Sequence, residues 1–551
     1  MNMTDMRNRN IQIIVHDLWK EFGVSHISLH NRCCKYFGST MDKELTKEES
    51  IELLVFILER IQKGMSKRFS RTNSEDMLAE LFAIHDLTYR LYIEEKNTRA
   101  RMCDLKIAEE DLNNALGSNS LICKHIIDAT NLWIENCVLH QNVELGVKKR
   151  GAVGINVELL IDMYVYGFAS AILSLLKLSG KQDGQMNPYY GIKLTPYAYE
   201  PVKALKRKTL VYFDALLRGN QNILNRNQEH AEHVSNAFEA GFFKTFSMEF
   251  SLFLSVLRYF AVAVFEEGKV NMVTADYEYA ALEIEQSTLP TVSADLFRKS
   301  FMLSCGHLSQ QQPNDQKLIW KMGINKFRYE LCPFILLENN KVLVSYSGVD
   351  QCVSYWFSAF RNGGQCYTNV QDELYVAMGQ MNEKLSSDLV DFIRESLKRH
   401  YTSKLDAINV KYDRIFGKLS KDYGDYDLVF YCENNQELFL IEAKFFSNSF
   451  SGSSLARDYN RIFGENGYYK HCRDRYDLVI SNPVAMKEFI GVKRDEQIEV
   501  HFLFVSSKPM EIKLQDTDGV VCFLCASNLD SYLEGRFRNE NDCIIRPTQK
   551  I

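Results

Sequence analysis

The chain reads as a mainly α-helical N-terminal region followed by an α/β domain with a mixed central sheet flanked by helices. Three observations lead there. Apolar residues recur at helical spacing through most of the first 300 positions. After about residue 371 the pattern changes to one long amphipathic helix and then to short apolar runs of strand length. Proline is scarce, 9 in 551 residues, which suits long helices and argues against long linkers. A chain of this length is expected to hold two to four domains. Its 46% apolar and 25% charged residues are the balance of a soluble globular protein.

The elements follow in order. Thr46-Lys47-Glu48-Glu49 has the spacing of a capping box, and Ile51, Leu53, Leu54, Phe56, Ile57 and Leu58 follow with charges around them. Ser74 to Glu95 repeats that spacing through Met77, Leu78, Leu81, Phe82, Ile84 and Leu87. Gly117 to Ser120 reads as a turn, and Leu121 to Leu139 as the next helix. Leu159 to Leu178 and Ser251 to Phe265 are apolar enough to raise the question of a membrane span. Asp162 and Lys177 interrupt the first, and the second is short and carries Arg258. Both are expected to be buried helices, with no membrane partner. Gly180 to Gly191 reads as a long loop, Tyr199 to Arg218 as a helix stopped by Gly219, and Glu229 to Glu267 as helical again.

The predicted organisation is a helical region over 1–307, with a break near 180–194 that allows two subdomains. A small mixed connecting module covers 308–370 and the α/β domain covers 371–551. Leu308 to Gln316 is the linker candidate, and Pro333 to Val344 reads as a hairpin turning at Asn339-Asn340, ahead of a helix over Val349 to Phe360. The last domain should run as a helix (Leu385 to His400), strands (Ile408 to Phe416, Asp427 to Cys432, Glu437 to Phe445), helices (Leu455 to Cys472, Val484 to Ile490) and strands (Ile498 to Val505, Val520 to Cys525).

The chemistry concentrates in the second and third of those strands. Gly424-Asp425-Tyr426-Asp427 opens one apolar strand, Glu433 to Gln436 makes the turn, and the next strand ends on Glu442-Ala443-Lys444. Glu442 and Lys444 are two apart, so they share a face, and Asp427 comes to the same end of the sheet. Two carboxylates make an oxygen-rich site suited to Mg²⁺ or Mn²⁺, to which the Ala443 carbonyl adds a ligand. Lys444 beside them would orient an attacking water or offset charge on phosphoryl oxygens. Glu-x-Lys recurs at Glu94/Lys96, Glu267/Lys269 and Glu511/Lys513, but only Glu442/Lys444 follows an Asp-led strand and a polar turn. The competing account is a solvated strand edge.

This segment resembles the PD-(D/E)xK phosphodiesterase superfamily, the restriction-endonuclease-like fold, over roughly residues 375 to 530. The family's metal-binding Asp and Glu map to Asp427 and Glu442 and its catalytic Lys to Lys444, with Tyr426 where the family name has Pro. The resemblance implies Mg²⁺-dependent hydrolysis of nucleic acid, DNA favoured over RNA, by an endonuclease. The order of regions is also similar to prokaryotic nucleases of restriction and anti-phage defence. Many members add a Glu on the first helix. Glu395 is the candidate here, as an accessory or a solvated residue, and Asp425 is either a turn residue or a further ligand.

Arg457, Arg461 and Lys470, with Arg473, Arg475 and interleaved tyrosines, are candidates for nucleic-acid contact or ordinary surface. The net charge of -6 excludes a broad non-specific DNA clamp but not a local positive groove. A homo-oligomer such as a dimer is expected, since such sites often work in pairs, and a regulatory protein partner would use the helical region. A nuclease-fold scaffold without catalysis is the alternative. The 14 scattered Cys and the polar start point to a reducing cytoplasm. Cys522 and Cys525 lie in an apolar run that reads as a buried strand, and His230 and His233 as a solvated helix face.

Overall fold

A computed structural model describes residues 18–37, 44–104, 119–147, 154–178, 189–194, 199–203, 228–264, 272–287, 293–310, 327–362, 372–446, 452–508, 510, 512–516, 518–539, 543–546 and 549–551. The first part of the chain is built on long helices: α1 (Lys47–Phe69), α2 (Ser74–Asp104), α3 (Asn119–Leu139), α4 (Val157–Leu178), α5 (Gln228–Phe246), α6 (Phe250–Val264) and α7 (Tyr346–Asn362). The capping box at Thr46 forms as the sequence predicts. Glu49 N–H donates to Thr46 Oγ1 at 3.3 Å and Thr46 N–H to Glu49 Oε2 at 2.9 Å. Such a cap is worth about 1 kcal/mol.

Helix α4 is the one described helix long and apolar enough to cross a membrane, and most of its apolar stretch is buried inside the protein. It packs against α1 and α3. Of its two acids, Glu158 is exposed and meets Arg32 Nη1 at 3.1 Å, while buried Asp162 accepts from Arg32 Nε at 2.8 Å and Nη2 at 2.6 Å and from the Tyr36 hydroxyl at 2.6 Å. The charge in the apolar helix is thus matched by a fork and a hydroxyl from one other helix, His26–Phe37. The carboxylate in turn holds the Arg32 guanidinium pKa above its ordinary value.

Two small sheets sit within this part, and of their strands the sequence pattern suggested the hairpin over Pro333 to Val344 alone. β1 (Glu44–Thr46), β2 (Tyr189–Leu194) and β3 (Tyr199–Lys203) pair antiparallel in that order. The expected loop over Gly180 to Gly191 therefore ends in a strand. The expected helix from Tyr199 begins as one too, its remaining residues lying outside the described ones. Pro201 explains the second outcome: it removes an N–H, which the edge position of β3 tolerates. The second sheet runs β4-β7-β6-β5, from β4 (Met272–Asp276), β5 (Met302–Ser304), β6 (Phe334–Leu336) and β7 (Lys341–Ser345). The hairpin between β6 and β7 turns at Asn340, which takes a φ of 65°. The helical stretch after Glu229 is two helices, α5 and α6, meeting at 76°. The linker candidate over Leu308 to Gln316 starts inside a helix, Cys305–Gln310, where Leu308 is buried, and the rest of it lies outside the described residues.

One core runs from Leu18 to Met381 and takes in the Tyr329 to Ala359 part of the connecting segment. It reaches the C-terminal domain through α8 (Glu373–His400). The first half of α8 gives Leu374, Met378 and Met381 to the N-terminal core, and the second half gives Leu389, Ile393 and Leu397 to the sheet beyond. Gly241 of α5 lets the helices cross closely. A Cβ there would meet Ala377 Cβ at 2.7 Å and the Glu373 carbonyl oxygen at 3.1 Å. Gly241→Val is expected to lower stability by about 1–3 kcal/mol, read in a denaturant melt, because neither partner is a free side-chain end.

The C-terminal sheet is mixed. Its strands run β12-β11-β10-β9-β8, from β8 (Leu405–Lys411), β9 (Asp425–Cys432), β10 (Glu437–Lys444), β11 (Glu499–Ser506) and β12 (Val521–Cys525), with β13 (Gln549–Lys550) beside β11. β8, β9 and β10 form an antiparallel meander, and β10, β11 and β12 are parallel. Leu428, Phe430, Phe439, Ile441 and Ala443 face α8 and α13 (Leu529–Leu533). Val429, Tyr431, Leu438, Leu440, Val500, Phe502 and Phe504 face the opposite layer, made by α9 (Tyr412–Phe416), α10 (Gly452–Phe463), α11 (Tyr468–Ser481) and α12 (Pro483–Phe489).

Three boundaries differ from expectation. The helix predicted over Leu385 to His400 already begins at Glu373. The strand predicted to reach Phe416 stops at Lys411, and α9 follows, because Tyr412 and Ile415 both turn inward and only helical spacing allows that. The helix predicted over Leu455 to Cys472 is broken into α10 and α11. Gly467 lies so close to the Ile462 backbone that a Cβ there would sit 2.7 Å from its carbonyl carbon.

Candidate active site

The meander places the candidate residues. β9 and β10 are paired from Glu437↔Cys432 to Ile441↔Leu428, and there their ladder ends. The next N–H on β10, that of Ala443, donates to Asp427 Oδ2 at 2.7 Å instead. The Asp427 carboxylate thus takes the place of a strand carbonyl and is drawn onto the end of β10. On the other side β10 stays in register with β11 through Lys444↔Ser506, and Ser507 N–H donates to the Lys444 carbonyl at 3.1 Å. Ser507 Oγ then ties Phe446 by two bonds, 2.8 and 2.9 Å long. The end of β10 is a held platform.

On that platform Lys444 Nζ lies 3.0 Å from Asp427 Oδ2 and 2.8 Å from Glu442 Oε1. The structure therefore brings Asp427, Glu442 and Lys444 together, with Glu442 buried and the other two partly so. Burial works against the Lys444 charge, but the two carboxylates outweigh it and raise its pKa above the ordinary lysine value. The Tyr468 ring lies 5.1 Å from the ammonium and limits its movement on the α11 side. Ala443 turns its methyl into the core behind the sheet.

The other oxygen of Glu442, Oε2, pairs with Nη1 of Arg475. Arg475 is the functional neighbour that sequence reasoning missed. It was visible only as one member of a basic run on a helix. Here its Nε donates to the Tyr423 carbonyl at 3.0 Å, and its guanidinium stands over the Tyr412 ring at 5.2 Å. Burial again works against the charge, and Glu442 outweighs it to push the Arg475 pKa up. Tyr426, Leu440, Glu442, Cys472, Arg475 and Phe502 line a small pocket under the carboxylate. Burial, then the Glu442 charge, push the Cys472 thiol pKa well up, so it stays neutral at neutral pH.

The remaining candidates are placed elsewhere. Glu395 is exposed, 3.8 Å from Lys398 Nζ, on the helix that covers the opposite face of the sheet. It joins neither carboxylate. Asp425 opens β9 opposite Lys411, at the start of the β8–β9 ladder. Arg461 and Lys470 are exposed, and Lys470 donates to the Glu465 carbonyl at 3.3 Å. Arg457 lies on α10, its side chain outside the described ones. Arg473 pairs with buried Asp516 at 2.8 Å and with Asp518 at 3.0 Å, so its charge is used within the fold.

The donor set suits a hard divalent cation in kind, with two carboxylates converging on one point. The Lys444 ammonium stands at that point as a stand-in cation. Among the described residues no group of three or more His, Cys, Asp or Glu side chains gathers as a metal site. No protein-family model, curated protein or solved structure matches this chain.

Proposed function

We propose that the protein is a divalent-cation-dependent nuclease with a restriction-endonuclease-like C-terminal domain, and that it hydrolyses phosphodiester bonds of nucleic acid, DNA in the first place. One observation carries the reading: Asp427, Glu442 and Lys444 meet where β9 and β10 part, within 3.0 Å of a shared point. Asp427 and Glu442 would hold Mg²⁺ or Mn²⁺ with the Ala443 carbonyl. A bound Mg²⁺ supplies a Lewis acid that lowers the pKa of water and offsets charge on the phosphoryl oxygens. Ala443 N–H orients Asp427 through Oδ2. Lys444, kept charged by its neighbours, aligns the attacking water or stabilises the developing negative charge. Exposed Arg461 and Lys470, after the active strand, are the candidates for backbone phosphate contact.

The test is cleavage of plasmid, linear duplex, single-stranded DNA and RNA with Mg²⁺, Mn²⁺ or EDTA. Cutting of DNA with either metal and none in EDTA is expected. Cutting that persists in EDTA would refute a metal-dependent reaction. A second reading, a domain of this kind without turnover, is favoured by the Arg475 side chain lodged on Glu442. It predicts no cleavage on any substrate and partner binding unchanged by Lys444→Ala.

A further inference from the structure

Glu442 is shared between two cations of different character. Lys444 ends a strand on a flexible stem. Arg475 is built in. Its guanidinium is held by the Tyr423 carbonyl on one edge, the Tyr412 ring on one face and Glu442 at the tip. Gly424 completes the seat: it takes a φ of 76°, and a Cβ there would come to 3.0 Å from Arg475 Nη2. The side chain is only 11% exposed, so it has no path into solvent without opening the loop before β9.

The consequence is electrostatic. Two carboxylates, Asp427 and Glu442, face two cations, Lys444 and Arg475, and the site is formally neutral. Lys444 can be displaced by an arriving cation, because its stem rotates and its ammonium is hydrated readily. Arg475 cannot, and it keeps one positive charge against the very carboxylate a divalent cation needs. It also directs Oε2 away from Asp427, leaving Oε1 as the oxygen that faces it.

We propose that Arg475 is a positioning residue that presents Glu442 by a single oxygen and holds the site's affinity for a divalent cation low. This rests on the reading of Asp427 and Glu442 as cation ligands. A neutral site fills poorly from free cation alone. A phosphodiester bound alongside adds negative charge and tightens cation binding, and by linkage the cation tightens the phosphodiester in equal measure. Cation and nucleic acid then enter together, which keeps the resting protein silent.

The experiment is calorimetric titration of the full chain with Mn²⁺ alone, for wild type, Arg475→Gln, Arg475→Met and Arg475→Lys, each checked for folding by circular dichroism and thermal melt. Removing the charge in the Gln or Met variant is expected to tighten Mn²⁺ binding roughly tenfold or more, while metal-dependent cleavage falls because Glu442 has lost its hold. Arg475→Lys retains the charge on a stem that can move, so its Mn²⁺ affinity is expected to lie between those of the wild type and the Gln variant. A folded Gln or Met variant that binds Mn²⁺ no more tightly than wild type overturns the proposal and leaves the nuclease reading standing. Tightening in the Lys variant to the same extent also overturns it. Mn²⁺ bound by none of the four proteins overturns both.

Discussion

Lys444→Met is expected to remove metal-dependent cleavage, with a loss of about 10²–10³-fold or more in rate, while the protein stays folded. The size follows from what the ammonium does. Among the described residues it is the one side chain that pairs with both carboxylates, and among Asp427, Glu442 and itself it alone can donate hydrogen bonds to a water or a phosphoryl oxygen. Its removal leaves Asp427 and Glu442 facing each other with only Arg475 to offset them. The variant should therefore bind Mg²⁺ or Mn²⁺ more tightly than wild type, and the metal should raise its melting temperature by more. Loss of cleavage with a larger metal-induced shift separates a chemical role from a structural one. Retained cleavage in Lys444→Met would remove that residue from the mechanism. Glu442→Gln also stops cleavage but is the less clean variant. It strips the counter-ion from both Lys444 and Arg475, and a buried cation left unpaired costs stability of its own.

The second large effect lies far from that site. Arg32→Met is expected to destabilise the N-terminal core by about 3 kcal/mol or more, because Asp162 remains as a buried charge with the Tyr36 hydroxyl as its remaining side-chain partner among the described residues. The double variant Arg32→Met/Asp162→Leu should recover most of that loss, since an apolar pair of similar volume restores the packing without the desolvation cost. Urea melts of the wild type, both single variants and the double variant give the coupling directly. If Arg32→Met alone leaves the melting curve unchanged, the fork does not hold α4 in place. Residues 26–37 would then be an appendage to the core.

The site itself was legible in the sequence to an unusual degree, and the reason is locality. Asp427, Glu442 and Lys444 belong to one hairpin, and a hairpin's geometry follows from alternation and from the turn between its strands. The turn at Glu433 to Gln436 and the apolar runs on either side of it were enough to bring the acids to one end. The capping box at Thr46 was legible for the same reason: its bonds span three residues. Where local signals failed, a distant partner had decided. Tyr199 to Lys203 became a strand because β2 lay ready to pair with it. The helix expected over Leu455 to Cys472 broke where the chain had to turn back across the sheet.

What the sequence determined by itself, then, is the helical character of the first region, the alternation of the later strands, and the three residues of the hairpin end. Each is written in spacings of two, three or four residues. Only the tertiary structure decided that Arg475, 33 residues from Glu442, reaches the carboxylate, and that Glu395 stands on the far side of the sheet from it. Helical periodicity tells which face of a helix is buried. It does not tell against which face of a sheet, and that choice rests on packing between elements far apart in the chain.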